Sequence, residues 1–291
     1  MKRGDFLQFC TFFILALVQI ASCYALEINS KYVHEGPFID GKREKLWERS
    51  KALEVVDPLT EKKVLLQSLF DDEYIYFKVT YPDKSEDREH KLLVWKEKLK
   101  MYKTGIKRED TFLFKWSLQG DKVDLSLEAD YPYVADVWYW KAHRTDPIGY
   151  ADDKRHVYSP NKSFGSKKLI SKGGKVFYLS RPGDDGRPAY EILTYDKHVE
   201  QTMPRYRQQT PTGSRGDIRA KGTWENGVWT VELRRKLRTG NQDDVIFDTK
   251  KTYFFGISVN EIAARDPDYE YDNPFHGVGK ISKLIELKFI K

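Results

Sequence analysis

The sequence predicts an all-β chain, a β-sandwich of two antiparallel sheets with long loops. Three observations predict it. Short apolar and aromatic runs recur after residue 30, bounded by turn residues. Aromatics make up 14% of the 291 residues, with 18 Tyr, 16 Phe and 7 Trp, and Tyr and Trp favour strands and half-buried surfaces. No apolar pattern of helical period reaches convincing length, and residues 86–100 read as a short helix or a charged loop.

Taken in order, strands are expected over residues 64–69, 74–81, 111–118, 123–127, 137–140, 175–179, 229–233, 253–259 and 284–290. The run Glu73-Tyr-Ile-Tyr-Phe-Lys-Val-Thr-Tyr81 mixes alternation with continuous apolar character, as a strand near a sheet centre does. Asp71-Asp72 before it, and Glu225-Asn226-Gly227 between Trp224 and Trp229, supply hairpin chemistry. Residues 141–222 are rich in Gly, Pro, Asp, Lys and Arg and read as long loops. Loops of that length inside a compact domain are usually functional or disordered. They are expected to be excursions covering a ligand or a partner, with residues 26–291 forming one domain.

The first 25 residues read as an export signal. Lys2 and Arg3 precede an apolar run from Phe6 to Ile20, too short for a span of ~20 residues. Two cleavage readings compete. Cys23-Tyr24-Ala25 suits an ordinary signal peptidase, whereas Ile20-Ala21-Ser22-Cys23 resembles a lipobox that leaves Cys23 lipidated. Either places the chain in the periplasm or an equivalent extracytoplasmic compartment. Cys10 and Cys23 are the two cysteines, and Cys10 lies inside the signal. The mature chain therefore forms no internal disulfide, no Cys-ligated Fe–S cluster and no Cys-rich zinc site. The net charge of +6 is spread over 50 basic and 44 acidic residues without a long basic block. That pattern points to solubility and docking, not to nucleic-acid binding.

Three stretches carry a resemblance. The first is Ile39-Asp-Gly-Lys-Arg-Glu-Lys-Leu-Trp47 with Leu69-Phe-Asp-Asp-Glu-Tyr-Ile-Tyr76, shared with many ligand-binding sandwiches. The second is Asp136-Val-Trp-Tyr-Trp-Lys-Ala-His-Arg144 running into Pro147-Ile-Gly-Tyr-Ala-Asp-Asp153. The third is Gly213-Ser-Arg-Gly-Asp-Ile-Arg-Ala-Lys-Gly222, then Trp229 to Leu237 and Thr239 to Val245. Together they resemble the haem-b-binding domain of ethylbenzene-dehydrogenase-type gamma subunits. That family includes the gamma subunits of chlorate and selenate reductases and of nitrite oxidoreductase. The resemblance implies one non-covalent haem b in a pocket framed by the long loops. It also implies an electron-transfer role without turnover, beside a molybdenum-containing alpha subunit and an Fe–S beta subunit. A soluble c-type cytochrome is the implied external carrier.

A six-coordinate electron-transfer haem needs two strong axial ligands. The resemblance places a Met ligand near Met101 and a nitrogen ligand in Phe275-His-Gly-Val-Gly-Lys280, where His276 and Lys280 compete. Neutral imidazole needs little adjustment at pH 7. A lysine must first lose its proton, at about 4.6 kcal/mol from a reference pKa of about 10.4. Met101 has a plainer alternative as a filler of a core gap. Lys141, Arg144 and Lys221 suit propionates, since ammonium and guanidinium pair with carboxylates. His143 is a propionate contact or a surface residue. Trp138 and Trp140 share a strand face, as a haem wall, a sugar platform or plain core. Asp152 and Asp153 are adjacent, so on a strand they face opposite sides and form no hydrolytic pair. The other class of function that the first stretch fits is a family-9-type carbohydrate-binding module.

Overall fold

The computed structural model describes residues 26–42, 44–58, 60–260 and 281–291. Residues 1–25, with both cysteines, and the stretch holding His276 and Lys280 lie outside the described residues. Among the described residues, eighteen strands follow in chain order. They are Leu26–Tyr32 (β1), Leu53–Val56 (β2), Lys63–Phe70 (β3), Tyr74–Pro82 (β4), Leu93–Lys96 (β5) and Met101–Thr104 (β6). Next come Thr111–Ser117 (β7), Tyr133–Lys141 (β8), Asp152–Ser159 (β9), Lys167–Ile170 (β10), Val176–Ser180 (β11) and Tyr190–Ile192 (β12). The last are Thr202–Met203 (β13), Tyr206–Gln208 (β14), Arg219–Glu225 (β15), Val228–Lys236 (β16), Tyr253–Asn260 (β17) and Ile285–Ile290 (β18). Short 3-10 turns are the helical elements among the described residues.

The all-β sandwich is what the chain forms, with one refinement. The two layers are not separate sheets. A single ladder of thirteen strands runs β10-β11-β9-β8-β7-β17-β18-β1-β3-β4-β16-β15, with β2 added to β3. β1 pairs in parallel with both β18 and β3 and joins the layers, while the other pairings are antiparallel. The layers close on an aromatic core. Phe77 of β4 meets Phe114 of β7 at 4.7 Å, and Trp116 lies 4.3 Å from Phe255 of β17 between ring centroids. Trp140 of β8 meets Trp229 of β16 edge-on at 4.9 Å. Every residue of β7 is buried, because both its faces are covered. Its inner face carries Phe112, Phe114 and Trp116, while Leu113 on its outer face packs under Leu125 and Leu127.

Most expected strands form within a residue or two, and the misses have local causes. Residues 123–127 are not a strand. Asp124 accepts from the Ser126 amide at 2.8 Å, and such side-chain-to-backbone bonds compete with a ladder. Leu125 and Leu127 still pack on the outer face of β7 and β8. Residues 86–100 form neither helix nor plain loop, since β5 lies within them. The stretch 141–222 is less of a loop than its composition predicts, because β9, β10 and β11 extend the main ladder there.

The Ile39-Asp-Gly-Lys opening has a physical explanation. Glu232 of β16 accepts the Trp47 indole N–H at 2.8 Å and the Gly41 amide at 2.9 Å, clamping the loop onto the sheet. Gly41 sits at φ +75, and a Cβ there would come within 2.8 Å of the Thr223 methyl.

Asp110, just before β7, ties the layers in a similar way. Its Oδ2 accepts the Trp229 indole N–H at 3.0 Å and the Asp87 amide at 2.8 Å, while Oδ1 is buried without a partner. Burial pushes the Asp110 pKa up to about 7, with the Asp83 and Asp87 carboxylates adding to the rise. The native chain then holds a proton that the unfolded chain releases above 3.8, so this contribution to stability falls as pH rises from 3.8 to about 7. Asp110→Asn keeps both acceptor bonds and removes the charge. The denaturation midpoint of the Asn variant is expected to fall less than the parent's between pH 5 and pH 7.5. An unchanged slope would show that Asp110 is ionised throughout.

Candidate functional site

The β8–β9 turn gathers most of the charged residues singled out from sequence. Trp140 ends the inner face of β8, and its indole N–H donates to Asp146 Oδ1 at 2.9 Å. Asp146 also accepts the Gly222 amide at 2.6 Å, Arg88 Nη1 at 2.7 Å and Lys221 Nζ at 3.3 Å. One buried carboxylate therefore brings Trp140 and Lys221 together and pins β15 to the turn. Gly222 allows this approach, since a Cβ there would lie 2.3 Å from the Trp140 ring.

Lys141 and Arg144 meet on the other side of β8. Lys141 Nζ contacts Asp152 Oδ2 and bonds the Tyr190 hydroxyl at 3.1 Å. The Arg144 guanidinium pairs with Glu109 and stacks 5.0 Å from the Tyr190 ring and 5.2 Å from Tyr206. Glu109 also accepts the amides of His143 at 2.6 Å and Arg144 at 2.9 Å. Tyr190 and Tyr206 belong to β12 and β14, which pair with each other outside the main ladder. The excursion predicted from the middle of the chain thus covers the Lys141–Arg144 pair. Burial, then the nearby Lys154 and Arg144 cations, push the Lys141 ammonium well below its ordinary value. Burial and the Arg144 cation likewise keep His90, beside Glu109, neutral near pH 7.

The three cations proposed for propionates are therefore already matched by chain carboxylates: Asp152, Glu109 and Asp146. Any external carboxylate must share them. His143 is different. Its Nδ1 lies 2.9 Å from the Arg88 carbonyl, which can only accept, so the proton sits on Nδ1. In the neutral ring that leaves Nε2 as a lone pair, and Nε2 is buried without a partner.

Met101 is not a core filler. It opens β6 in the small β13-β5-β6 sheet, opposite Lys96, with 44% of its surface exposed. Trp138 is core. Its ring packs 5.3 Å from Trp116 and 5.9 Å from Phe114, with the Arg235 guanidinium 4.6 Å from its face. Trp138 and Trp140 share the inner face of β8, and Met101 lies on a different sheet. Asp152 and Asp153 do face opposite sides of β9: Asp152 meets Lys141, and Asp153 faces inward, opposite Trp138 in register.

Three open clefts lie elsewhere. Two of about 590 Å³ flank Asp71–Glu73, and one of about 740 Å³ crosses the outer face of β3, β4, β15 and β16. None of these three is lined by Lys141, Arg144 or Met101. Sequence reading missed Glu109 and Asp146 as organisers. It also missed Arg235, with Asp136, as a buried pair at 2.5 Å. A signal was present for the last two. Asp136 shares the inner face of β8 with Trp138 and Trp140, and Arg235 shares that of β16 with Val231 and Leu233. A charge on an apolar strand face is seldom idle.

No curated protein matches the chain in sequence. Among solved structures, a family 9 carbohydrate binding module from Caldicellulosiruptor kristjanssonii in complex with cellotriose superposes with a TM-score of 0.40 and 11% identity, covering 91% of this chain and 95% of that one. The same organism's family 9 module in complex with glucose gives a TM-score of 0.39 and 11% identity over 90% and 97% of the two chains. The family description "Ethylbenzene dehydrogenase" matches residues 43–266, which takes in the turn, the excursion, Met101 and both buried charge clusters. On that match, well over half of its length, the chain belongs to the ethylbenzene dehydrogenase family.

Proposed function

We propose that this chain is an electron-transfer subunit that holds one non-covalent haem b. It would relay single electrons between the Fe–S subunit of a molybdenum oxidoreductase complex and an external carrier such as a soluble c-type cytochrome. Family membership over residues 43–266 carries this reading. The donor chemistry fits the group. Met101 offers an exposed thioether, and His143 Nε2 is a buried lone pair with no other partner. His276 and Lys280 remain the nitrogen candidates of the C-terminal stretch. Lys141, Arg144 and Lys221 supply positive charge for the propionates, shared with their own carboxylates.

The haem, when bound, supplies reversible one-electron chemistry at a potential set by its ligands and burial. The chain's own residues do the rest. The Met101 thioether and a nitrogen base would hold the iron. The tyrosine-capped cations balance charge, and the β12–β14 excursion limits water. We further propose that residues 1–25 direct export, that residues 26–291 act as one domain, and that the mature chain is periplasmic. Cys23 is its one possible lipid attachment point. The chain itself performs no turnover in this reading. The substrate chemistry lies in the partner subunit.

Mature protein from a haem-competent host is expected to show a Soret band and a sharp α-band on reduction. Acidified butanone should extract that haem fully, because the chain has no C-x-x-C-H for thioether bonds. Protein that folds but carries no haem would overturn the reading. Met101→Leu is expected to convert the haem from low to high spin, or to strip it. A low-spin spectrum that survives the change unaltered removes Met101 from the ligand set. The same measurement on His143→Ala, His276→Ala and Lys280→Ala identifies the nitrogen donor.

A further inference from the structure

A second charge cluster lies inside the sandwich, apart from the β8–β9 turn. Asp136 of β8, Asp153 of β9 and Asp244, in the loop between β16 and β17, are all buried. Each places a carboxylate oxygen within 4.8 Å of the others. Arg235 occupies part of the cluster. Its Nη1 donates to Asp136 Oδ2 at 2.5 Å and stands 3.6 Å from Asp244 Oδ1. The Val245 amide donates to the same Asp136 Oδ2 at 3.0 Å. Four oxygens are left over: Asp136 Oδ1, Asp153 Oδ2 and both of Asp244 are buried with no hydrogen-bond partner. All three residues are almost wholly inaccessible, at 0%, 2% and 4% exposure.

We propose that Asp136, Asp153 and Asp244 form a binding site for one divalent hard cation of the calcium or magnesium class, built around Arg235. Charge is the first argument. Three carboxylates against one guanidinium leave the buried cluster two negative charges in excess, and one divalent ion neutralises it. Unpaired charge in a low-dielectric interior is expensive. Donor type is the second. An all-oxygen set selects hard cations over zinc or copper, which prefer nitrogen and sulfur. Placement is the third. β8, β9 and the loop after β16 converge here from both layers, so an ion would tie them together.

The other groups facing the cluster do not remove the excess. Asp184 and Asp217 bring further carboxyl groups, not cations, into its surroundings. Arg155 shares the inner face of β9 but makes no ion pair with any of the three. Burial pushes Asp153 well above the ordinary carboxylate value and Asp244 up to about 7. None of this depends on haem, and the site can be tested on protein with or without it.

Mature protein stripped with chelator is titrated with calcium and with magnesium by calorimetry. Terbium luminescence sensitised by Trp138 gives a second readout. One ion per chain should bind, raise the melting temperature, and bind at least tenfold more weakly in Asp153→Asn and in Asp244→Asn. Asp124→Asn, in an exposed turn, should bind as the parent does. Circular dichroism checks that each variant is folded. Absence of binding of either metal to folded parent protein overturns the proposal. So does binding that survives unchanged in both cluster variants.

Discussion

Phe77, Phe114, Trp116, Trp138 and Phe255 form the contact on which the rest of the molecule depends. A ladder of thirteen strands is too wide to remain a flat open sheet. Here it folds over at β17, β18 and β1 until its inner aromatic faces meet. Large rings give the closure most of its driving force, because each buries well over 100 Å² of apolar surface. They also fix which residues border the core at either end of β8. Trp140 reaches one end and touches Asp146. Trp138 sits further along, against Arg235.

Those two neighbourhoods explain why so many charges lie inside an apolar sandwich. At the turn, Asp146 and Glu109 each accept several donors, and the charges there are matched by partners. At the other end, Asp136, Asp153 and Asp244 outnumber Arg235 and leave oxygens without partners. A matched cluster can persist by itself, whereas an unmatched one calls for protons or a cation. The difference separates a scaffold for the covering excursion from a candidate ion site. Met101 stands apart from both, on a small sheet of its own, where a thioether gains little from packing.

Much of the architecture was legible because strand periodicity is strong where both faces are buried, as in β4 and β7. The failures were polar. β9 begins Asp152-Asp-Lys-Arg, and no hydropathy reading finds a strand there. It becomes one because its first two side chains meet partners from elsewhere: Asp152 meets Lys141, and Asp153 faces the Arg235 cluster. The opposite facing of these two aspartates was nevertheless readable from strand geometry. Lys141, Arg144 and Lys221 were legible as a cationic group, but not their pairing with Asp152, Glu109 and Asp146, which come from distant segments. Long-range pairing of charges leaves no local pattern in a sequence.

The most direct test of the central claim is a redox titration of the purified mature chain, followed in the visible region. A haem relay held by two axial ligands predicts one reversible step that fits a single-electron curve, low spin in both states, without any partner subunit present. A folded chain with no redox-active chromophore, or one whose reduction requires another subunit's cofactor, contradicts it.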